Sequence, residues 1–243
     1  MLSMITTRDP GTSGVKDVAD ALGGGINERS LVLIEGESDT GKSVLSQHIA
    51  YGVLNSRETR IAYYSTQHNA ESLIEQMQGI GLDVARDVLA DRFRVYRIGT
   101  GPIIKDAEGA LQGLINHITG LPEEFQLVFF DSPSWFLNHV DPGVKVDFLY
   151  LLKEMCDEIS MVIALDTHVF EEKSLSRALS VSDYYLRLRS DDPFLENGQI
   201  DPRIIKKMEV AKLAGAMRYN EGFKFEIKPH VGIQILPYVN VRV

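Results

Sequence analysis

The chain has 243 residues, a formal net charge of −9 and a hydrophobic fraction of 44%. The length and hydrophobic content predict one α/β domain spanning 1–243 with a sizeable core. The acidic balance argues against nucleic acid as the main partner, because a nucleic-acid-binding surface usually shows a basic stripe. The basic stretches Lys206-Lys207 and Arg187-x-Arg189 are short and predict solvated strand positions.

Targeting and redox signals predict a cytoplasmic location. No apolar run approaches the length of a transmembrane helix, and the start of the chain lacks the basic-then-apolar pattern of a secretory signal. The single cysteine, Cys156, excludes an intramolecular disulfide and fits a reducing compartment. Because it lies among apolar residues at helical spacing, we expect a buried thiol rather than a nucleophile.

The first part of the chain leads into a strand and a helix. An extended start is predicted over residues 1–10, a short helix over 14–21 and a glycine turn over 23–25. The apolar run at 31–34 predicts a buried strand, and apolar residues at helical spacing predict a helix over 43–54.

Strands and helices then alternate up to Val181. Further strands are predicted over 61–65, 93–98, 127–131 and 161–166, with amphipathic helices over 111–118 and 146–159. Asn69 is expected to cap another helix that has Glu71 in its first turn. This alternation predicts a parallel, doubly wound sheet flanked by helices.

The pattern changes after Val181 to short strands separated by turns. The predicted strands cover 184–189, 204–213, 223–228 and 232–236. Turn signals at 191–193 and 196–198 lie between the first two of them. We therefore predict an α/β fold with a mostly parallel sheet and an antiparallel C-terminal extension, without a second domain.

A phosphate-binding signature, G-x-x-x-x-G-K-S/T, lies between the first predicted strand and its helix, at Gly36-Glu37-Ser38-Asp39-Thr40-Gly41-Lys42-Ser43. The glycines allow a close approach to phosphates, and the N–H groups of the loop and helix start, including Val44, would point at the anion. Lys42 is expected to reach the β- and γ-phosphates, and Ser43 to place its hydroxyl on Mg²⁺. The flanking strand and helix disfavour the alternative of a chance glycine turn.

Two other apolar strands end in polar residues. Asp131 stands where proteins with this loop hold the acid that orients Mg²⁺ through water. Since ligands of open α/β sheets bind beyond the carboxyl ends of strands, Asp131 is expected to meet the loop; the alternative is a cap of the following turn. Thr167 and His168 follow the strand that ends at Asp166. His168 is a candidate sensor of the γ-phosphate, or equally an ordinary loop histidine.

These segments together resemble the KaiC-like branch of the RecA superfamily. The resemblance runs through 12–18, 23–26, 31–43, 131–132, 166–168 and 210–215, and covers nearly the whole chain. Within that branch, the chain is most similar to the archaellum accessory ATP-binding proteins called FlaH or ArlH. That similarity lies in the single-domain length, in Glu35-Gly36 before a short acidic loop and in the overall run of segments.

The resemblance implies a RecA-like core that binds ATP at subunit edges and assembles into a ring, with a hexamer expected. FlaH-like proteins resemble regulators more than motors. The resemblance places them in the cytoplasm at the base of the archaellum. It implies contacts with the motor ATPase FlaI, with scaffold proteins such as FlaX, and indirectly with the membrane platform FlaJ.

The chain departs from the KaiC-like pattern after the second strand. KaiC-like ATPases usually place two glutamates there, one of them a general base toward the attacking water. The matching residues are Gln67 and His68. Gln67 cannot take a proton but can orient a water, and His68 can act as a base in a suitable geometry. Both also fit a polar loop, and the nearby Glu71 is expected to complement a helix N-terminus.

A second departure lies near the end of the chain. KaiC-like proteins often send a lysine and an arginine, two residues apart, to the neighbouring subunit's γ-phosphate. Here Lys212 is present, Ala214 stands at the second position, and Arg218 follows further on. Lys212 therefore predicts a contact with ATP in trans, or equally a surface lysine in a salt bridge.

Three functions follow from these residues. Both departures remove catalytic groups and keep phosphate binding, which favours a nucleotide-gated assembly factor of the archaellum motor with weak or no hydrolysis. The second is a KaiC-like signalling ATPase or autokinase, for which Ser65, Thr66, Ser132 and Ser134 offer hydroxyls. The third is a RecA-type recombination ATPase, which the acidic balance disfavours.

Overall fold

A nine-stranded sheet organises the computed structural model, which describes residues 25–56, 58–99, 106–190, 204–213 and 222–236. The strands are β1 Leu31–Gly36, β2 Arg60–Ser65, β3 Phe93–Arg97, β4 Phe125–Asp131, β5 Ser160–Asp166, β6 Tyr184–Ser190, β7 Lys206–Lys212, β8 Gly222–Lys228 and β9 Gly232–Ile235. The helices are α1 Lys42–Ser56, α2 Ala70–Gly79, α3 Ala85–Leu89, α4 Ala107–Thr119, α5 Ser134–Leu137, α6 Pro142–Met155 and α7 Glu172–Val181.

The order of the strands confirms the predicted fold class. The sheet runs β3-β2-β4-β5-β1-β6-β7-β8-β9. Neighbours from β3 to β6 pair in parallel, and β6 to β9 pair antiparallel. Because β1 lies inside the parallel part, the segment that follows it opens onto the carboxyl edge of the sheet, where ligands of such folds bind.

Strand β1 is buried on both faces, as its unbroken apolar run predicts. Val32 and Ile34 belong to the core beneath α1, whereas Leu31 and Leu33 belong to the core on the opposite face. The strand is therefore packed between two hydrophobic cores. This packing fixes the position at which the following loop begins.

Several predicted bounds were wrong. The helix predicted over 146–159 begins at Pro142 and ends at Met155, because Ser160 already opens β5. The helices α3, α5 and α7 were not predicted, since two of them span only five and four residues. The predicted helix at 14–21 and the turns at 191–193 and 196–198 lie outside the described residues.

Two basic residues differ from their prediction as solvated strand positions. Lys207 and Arg189 are exposed, as predicted. Lys206 is instead buried, with 8% exposure, and Arg187 is half-buried with its Nε 3.3 Å from Glu35 Oε2.

Cys156 confirms the expected buried thiol. It is 1% exposed, and burial raises the pKa of its thiol to about 12, which keeps it protonated and unreactive. Within the described residues, no helix combines the length and apolar character needed to cross a membrane.

Candidate nucleotide-binding site

A cleft of about 990 Å³ lies beyond the carboxyl ends of β1, β4 and β5. Most of its lining comes from the predicted phosphate loop and from the turns after β2, β4 and β5, and α2 and β8 each add one residue. The lining residues are Glu37, Ser38, Asp39, Gly41, Lys42, Ser43, Val44, Thr66, Gln67, His68, Gln76, Asp131, Ser132, Ser134, Trp135, Asn138, Asp166, Thr167, His168 and Ile227. The structure thus brings together most of the predicted site residues.

The loop after β1 needs glycine at both ends. A Cβ on Gly36 would lie 2.4 Å from Thr40 Oγ1 and 2.9 Å from the carbonyl oxygen of Leu188. Gly41 has φ +98°, a conformation that other residues rarely adopt. The motif glycines therefore let the chain fold tightly from β1 into α1.

The ammonium group of Lys42 contacts two backbone carbonyls near the loop and one carboxylate at the end of β5. Its Nζ donates to the carbonyl oxygens of Gly36 at 2.8 Å and Glu37 at 2.7 Å. The same Nζ lies 3.0 Å from Asp166 Oδ1 at the end of β5. Asp166 was predicted as the end of a strand and as part of the KaiC-like resemblance at 166–168, and its pairing with Lys42 is an additional feature of the site.

Asp131 meets Ser43, as its position after an apolar strand predicted. Ser43 donates its hydroxyl to Asp131 Oδ1 at 3.0 Å, and the buried Tyr63 donates to Oδ2 at 2.8 Å. Burial raises the pKa of the Asp131 carboxyl, and the hydrogen bonds from Tyr63 and Ser43 oppose that rise. Burial, followed by the charge of Asp131, also raises the pKa of Tyr63.

The oxygens of Ser43 and Asp131 suit a hard divalent cation. Mg²⁺ binds through carboxylate and hydroxyl oxygens and keeps several waters. The Ser43 hydroxyl and the Asp131 carboxylate lie 3.0 Å apart beside the phosphate loop, so their oxygens form a donor set that would suit Mg²⁺.

Gln67 and His68 line the cleft at the end of β2. The buried Ser65 hydroxyl accepts hydrogen bonds from the backbone N–H of His68 at 3.0 Å and of Gln67 at 3.3 Å. This turn leads to Asn69, which caps α2 as predicted. Ser72 completes the cap, because its side chain accepts the backbone N–H of Asn69. The two positions therefore present an amide and an imidazole toward the cleft, and no carboxylate.

Thr167 and His168 also line the cleft. The His168 side chain is exposed. Asp166, two residues earlier, donates its backbone N–H to Ser134 Oγ at 2.9 Å. Ser134 in turn accepts the Ser132 hydroxyl at 2.7 Å. The turns after β4 and β5 are thus joined by hydroxyl groups beside the cleft, a link that local patterns do not reveal.

Lys212 does not line this cleft. Its Nζ donates to the carbonyl oxygens of Leu179 at 2.7 Å, Ser180 at 3.2 Å and Ser182, where α7 ends. Burial lowers the pKa of Lys212. Its contact with a neighbouring subunit stays a prediction, and Ala214 and Arg218 lie outside the described residues.

Four cleft residues were missed, and they are Gln76 of α2, Ile227 of β8, Trp135 of the four-residue helix α5 and Asn138, which follows α5. Trp135 is half-buried and Asn138 is exposed, and both line the cleft. Trp135 is the single tryptophan of the chain, and it packs against Phe136 at 5.2 Å between ring centroids. The only sequence signal for this wall was the short Ser-Pro-Ser turn after Asp131.

Comparisons with known proteins point to one family. The family described as "ATPase: KaiC" matches residues 11–240. An archaeal flagellar ATP-binding protein FlaH of Methanocaldococcus jannaschii is 27% identical over 222 residues, covering 90% of this chain and 91% of that protein. The protein of the same name from Sulfolobus acidocaldarius is 25% identical over 218 residues, covering 88% of this chain and 91% of its own length.

A solved structure supports the same fold. The crystal structure of the flagellar accessory protein FlaH from Methanocaldococcus jannaschii aligns with a TM-score of 0.73 and 23% identity, covering 96% of this chain and 97% of that one. The resemblance inferred from the motifs is confirmed by these matches. With the family match extending over nearly all of the sequence and a phosphate loop folded beside Asp131, the chain belongs to the KaiC family of ATPases.

Proposed function

We propose that this chain is an ATP-binding regulatory or assembly component of the archaellum motor that hydrolyses ATP weakly or not at all. The observation that carries the proposal is the composition of one cleft. Lys42, Ser43 and Asp131 converge there to hold phosphates, whereas Gln67 and His68 stand where KaiC-like ATPases place glutamates. The relatives named archaeal flagellar ATP-binding proteins support the archaellum assignment.

The binding half of the site needs only this chain's own groups. Backbone N–H groups of the loop and the start of α1 face the phosphates, and Lys42 supplies a charge to them. Ser43 and Asp131 would hold Mg²⁺, which neutralises phosphate charge when bound. The proposed ligands therefore include Glu37, Ser38, Asp39, Thr40 and Val44 through the loop and helix backbone.

The groups that would activate a water for hydrolysis are less complete than the groups that would bind phosphate. Gln67 can orient a water but cannot take its proton. His68 offers an imidazole whose Nδ1 lies 3.4 Å from Ser72 Oγ, at the cap of α2. Without a carboxylate at these two positions, ATP acts as a ligand that selects a conformation or an assembly state.

The proposed assembly is a homo-oligomeric ring in the cytoplasm, with a hexamer expected, at the base of the archaellum. The proposed partners are the motor ATPase FlaI, a scaffold such as FlaX and, indirectly, the membrane platform FlaJ. His168 and Lys212 are the proposed sensor residues, the first in this chain's own cleft and the second toward a neighbouring subunit.

A KaiC-like signalling ATPase or autokinase is the second candidate. It is favoured by the hydroxyl groups of Thr66, Ser132 and Ser134, which line the same cleft as the phosphate loop. A phosphoryl group transferred to one of them would give a phosphoprotein and release ADP.

Binding and turnover in one preparation test the proposal. We expect the Trp135 fluorescence to change on titration with Mg·ATP, with turnover at background level. Lys42→Ala should weaken ATP binding by about tenfold to a hundredfold, because a charged phosphate contact is lost. The matched control is Lys207→Ala, which removes an exposed lysine that does not line the cleft.

Two outcomes contradict the proposal. Vigorous turnover abolished by Lys42→Ala, or phosphate incorporated into the protein, would favour the second candidate. Failure of the unmodified protein to bind ATP by calorimetry would remove both functions.

A further inference from the structure

Lys206 contacts the phosphate loop from outside the motif. It opens β7, is 8% exposed and donates its Nζ hydrogen bond to the backbone carbonyl of Asp39, 167 residues earlier in the chain. We propose that Lys206 is a positioning residue for nucleotide binding, holding the loop in its phosphate-binding shape. This inference rests on the proposed function, since it deepens the account of the same site.

The contact is made at a point where the loop needs support. Asp39 has φ +61°, in the left-handed region that costs energy for a residue other than glycine. A buried ammonium that donates to the carbonyl of this residue stabilises that conformation. The cost of the left-handed turn is therefore offset by a side chain from a distant strand.

Packing reinforces the same contact. A Cβ built on Gly41 would lie 2.9 Å from Ile227 Cδ1, 3.6 Å from Phe225 Cε2 and 3.7 Å from Lys206 Cδ. Lys206 and Phe225 are direct partners in the β7–β8 ladder. The stem of Lys206 and two side chains of β8 thus cover the loop around Gly41, and the ammonium reaches over to Asp39.

The charge of Lys206 also acts through the peptide that it contacts. A cation on the carbonyl oxygen of Asp39 polarises the Asp39–Thr40 peptide and strengthens the hydrogen bond that the Thr40 N–H donates to the carbonyl oxygen of Glu37 at 3.4 Å within the loop. Burial lowers the pKa of Lys206, and the nearby charge of Asp39 opposes that shift. The charge of the lysine therefore stabilises the shape of the phosphate loop, although Lys206 does not itself line the cleft.

Lys207 provides a matched control. It is the next residue of the same strand and is exposed, because successive side chains of a strand point to opposite faces. A general effect of removing a positive charge from β7 would appear in both variants, whereas loss of loop positioning would appear only at Lys206.

Calorimetric titration with Mg·ATP tests the proposal in the full-length protein. We expect Lys206→Met to raise the Kd for ATP by at least about fivefold, the effect of losing one charged hydrogen bond. Lys206→Arg, which keeps the charge and its donors, should recover most of the affinity. Lys207→Met should bind as the unmodified protein does.

Hydrogen exchange on the unmodified protein provides a test that needs no variant to fold. We expect ATP to slow amide exchange in the loop at 37–43 and in β7 together, because one contact couples them. Slowing in the loop alone, or equal ATP affinity in Lys206→Met, would overturn the inference and leave ATP binding intact. Absence of ATP binding by the unmodified protein would overturn the inference together with the proposed function.

Discussion

At the residue scale, Lys42 is already fully engaged within the chain. Its ammonium has three donors, and the structure gives them two backbone carbonyls and the carboxylate of Asp166. A phosphate that binds Lys42 must therefore displace at least one of these partners. Asp166 is the partner best able to leave, because its side chain is 50% exposed, whereas the other two partners are backbone carbonyl groups of the loop region.

We expect Asp166→Asn to raise the affinity for Mg·ATP by about three- to tenfold. The change removes both a competitor for Lys42 and a negative charge that repels phosphate. Fluorescence titration of Trp135 measures the effect, with the exposed Asp157→Asn as the control for net charge. Weaker binding in Asp166→Asn would instead show that Asp166 helps to hold the cation or its waters.

At the scale of elements, a hydrogen bond joins α1, the helix after the phosphate loop, to β9, the last described strand. His48 of α1 accepts the backbone N–H of Ile233 in β9 on Nε2 at 2.9 Å. The preceding Gly232 has φ +77°, and a Cβ there would lie 2.1 Å from His48 Nε2. Since Nε2 accepts, the proton of the neutral ring is on Nδ1, which has no hydrogen-bond partner among the described residues.

This contact makes stability depend on pH. Burial lowers the pKa of His48 from 6.5 to about 4. Between those values the unfolded chain takes up a proton that the folded one excludes. The stabilisation that comes from the neutral His48 is therefore complete above pH 6.5. As the pH falls toward 4, this stabilisation is lost, and the free energy of unfolding decreases by about 3 kcal/mol.

Urea unfolding at pH 7 and pH 4.5 measures this loss against His48→Gln, whose side-chain oxygen can still accept a hydrogen bond. We expect the variant to be less stable at pH 7 and to lose less stability on acidification. The raised pKa of Asp131 has the opposite effect, because it makes the folded state more stable as the pH falls. This effect is common to both proteins, so it cancels when their pH dependences are compared. Equal pH slopes in the two proteins would rule out His48 as the titrating group.

At the scale of the whole molecule, the fold and the binding half of the site were predictable from local patterns. The loop from Gly36 to Ser43 has a fixed spacing, and Asp131 directly ends an apolar strand. The contacts of Lys42 with Asp166 and of Lys206 with Asp39 were not predictable. Each joins residues more than a hundred positions apart, and a lysine at the start of a strand carries no sign that it will be buried.

The proposed ring also belongs to this scale. If ATP binds between subunits, it stabilises the assembly by mass action, so assembly should require ATP and an intact loop. Light scattering after gel filtration should give a larger mass with Mg·ATP than with ADP or without nucleotide. Lys42→Ala should keep the smaller mass throughout. A mass that is the same in every condition would argue against nucleotide-gated assembly.

The contacts of Phe225 and Ile227 with the loop around Gly41 have a consequence for the smallest functional unit of this chain. Every residue that matches the phosphate-binding signature, together with Asp131 and His168, precedes β7. A fragment that stops after Ser190 would retain the complete signature and lose the strands that cover it. Such a fragment would carry the motif in its sequence without the scaffold that gives the motif its shape, so the nucleotide-binding unit is longer than the segment by which it is recognised.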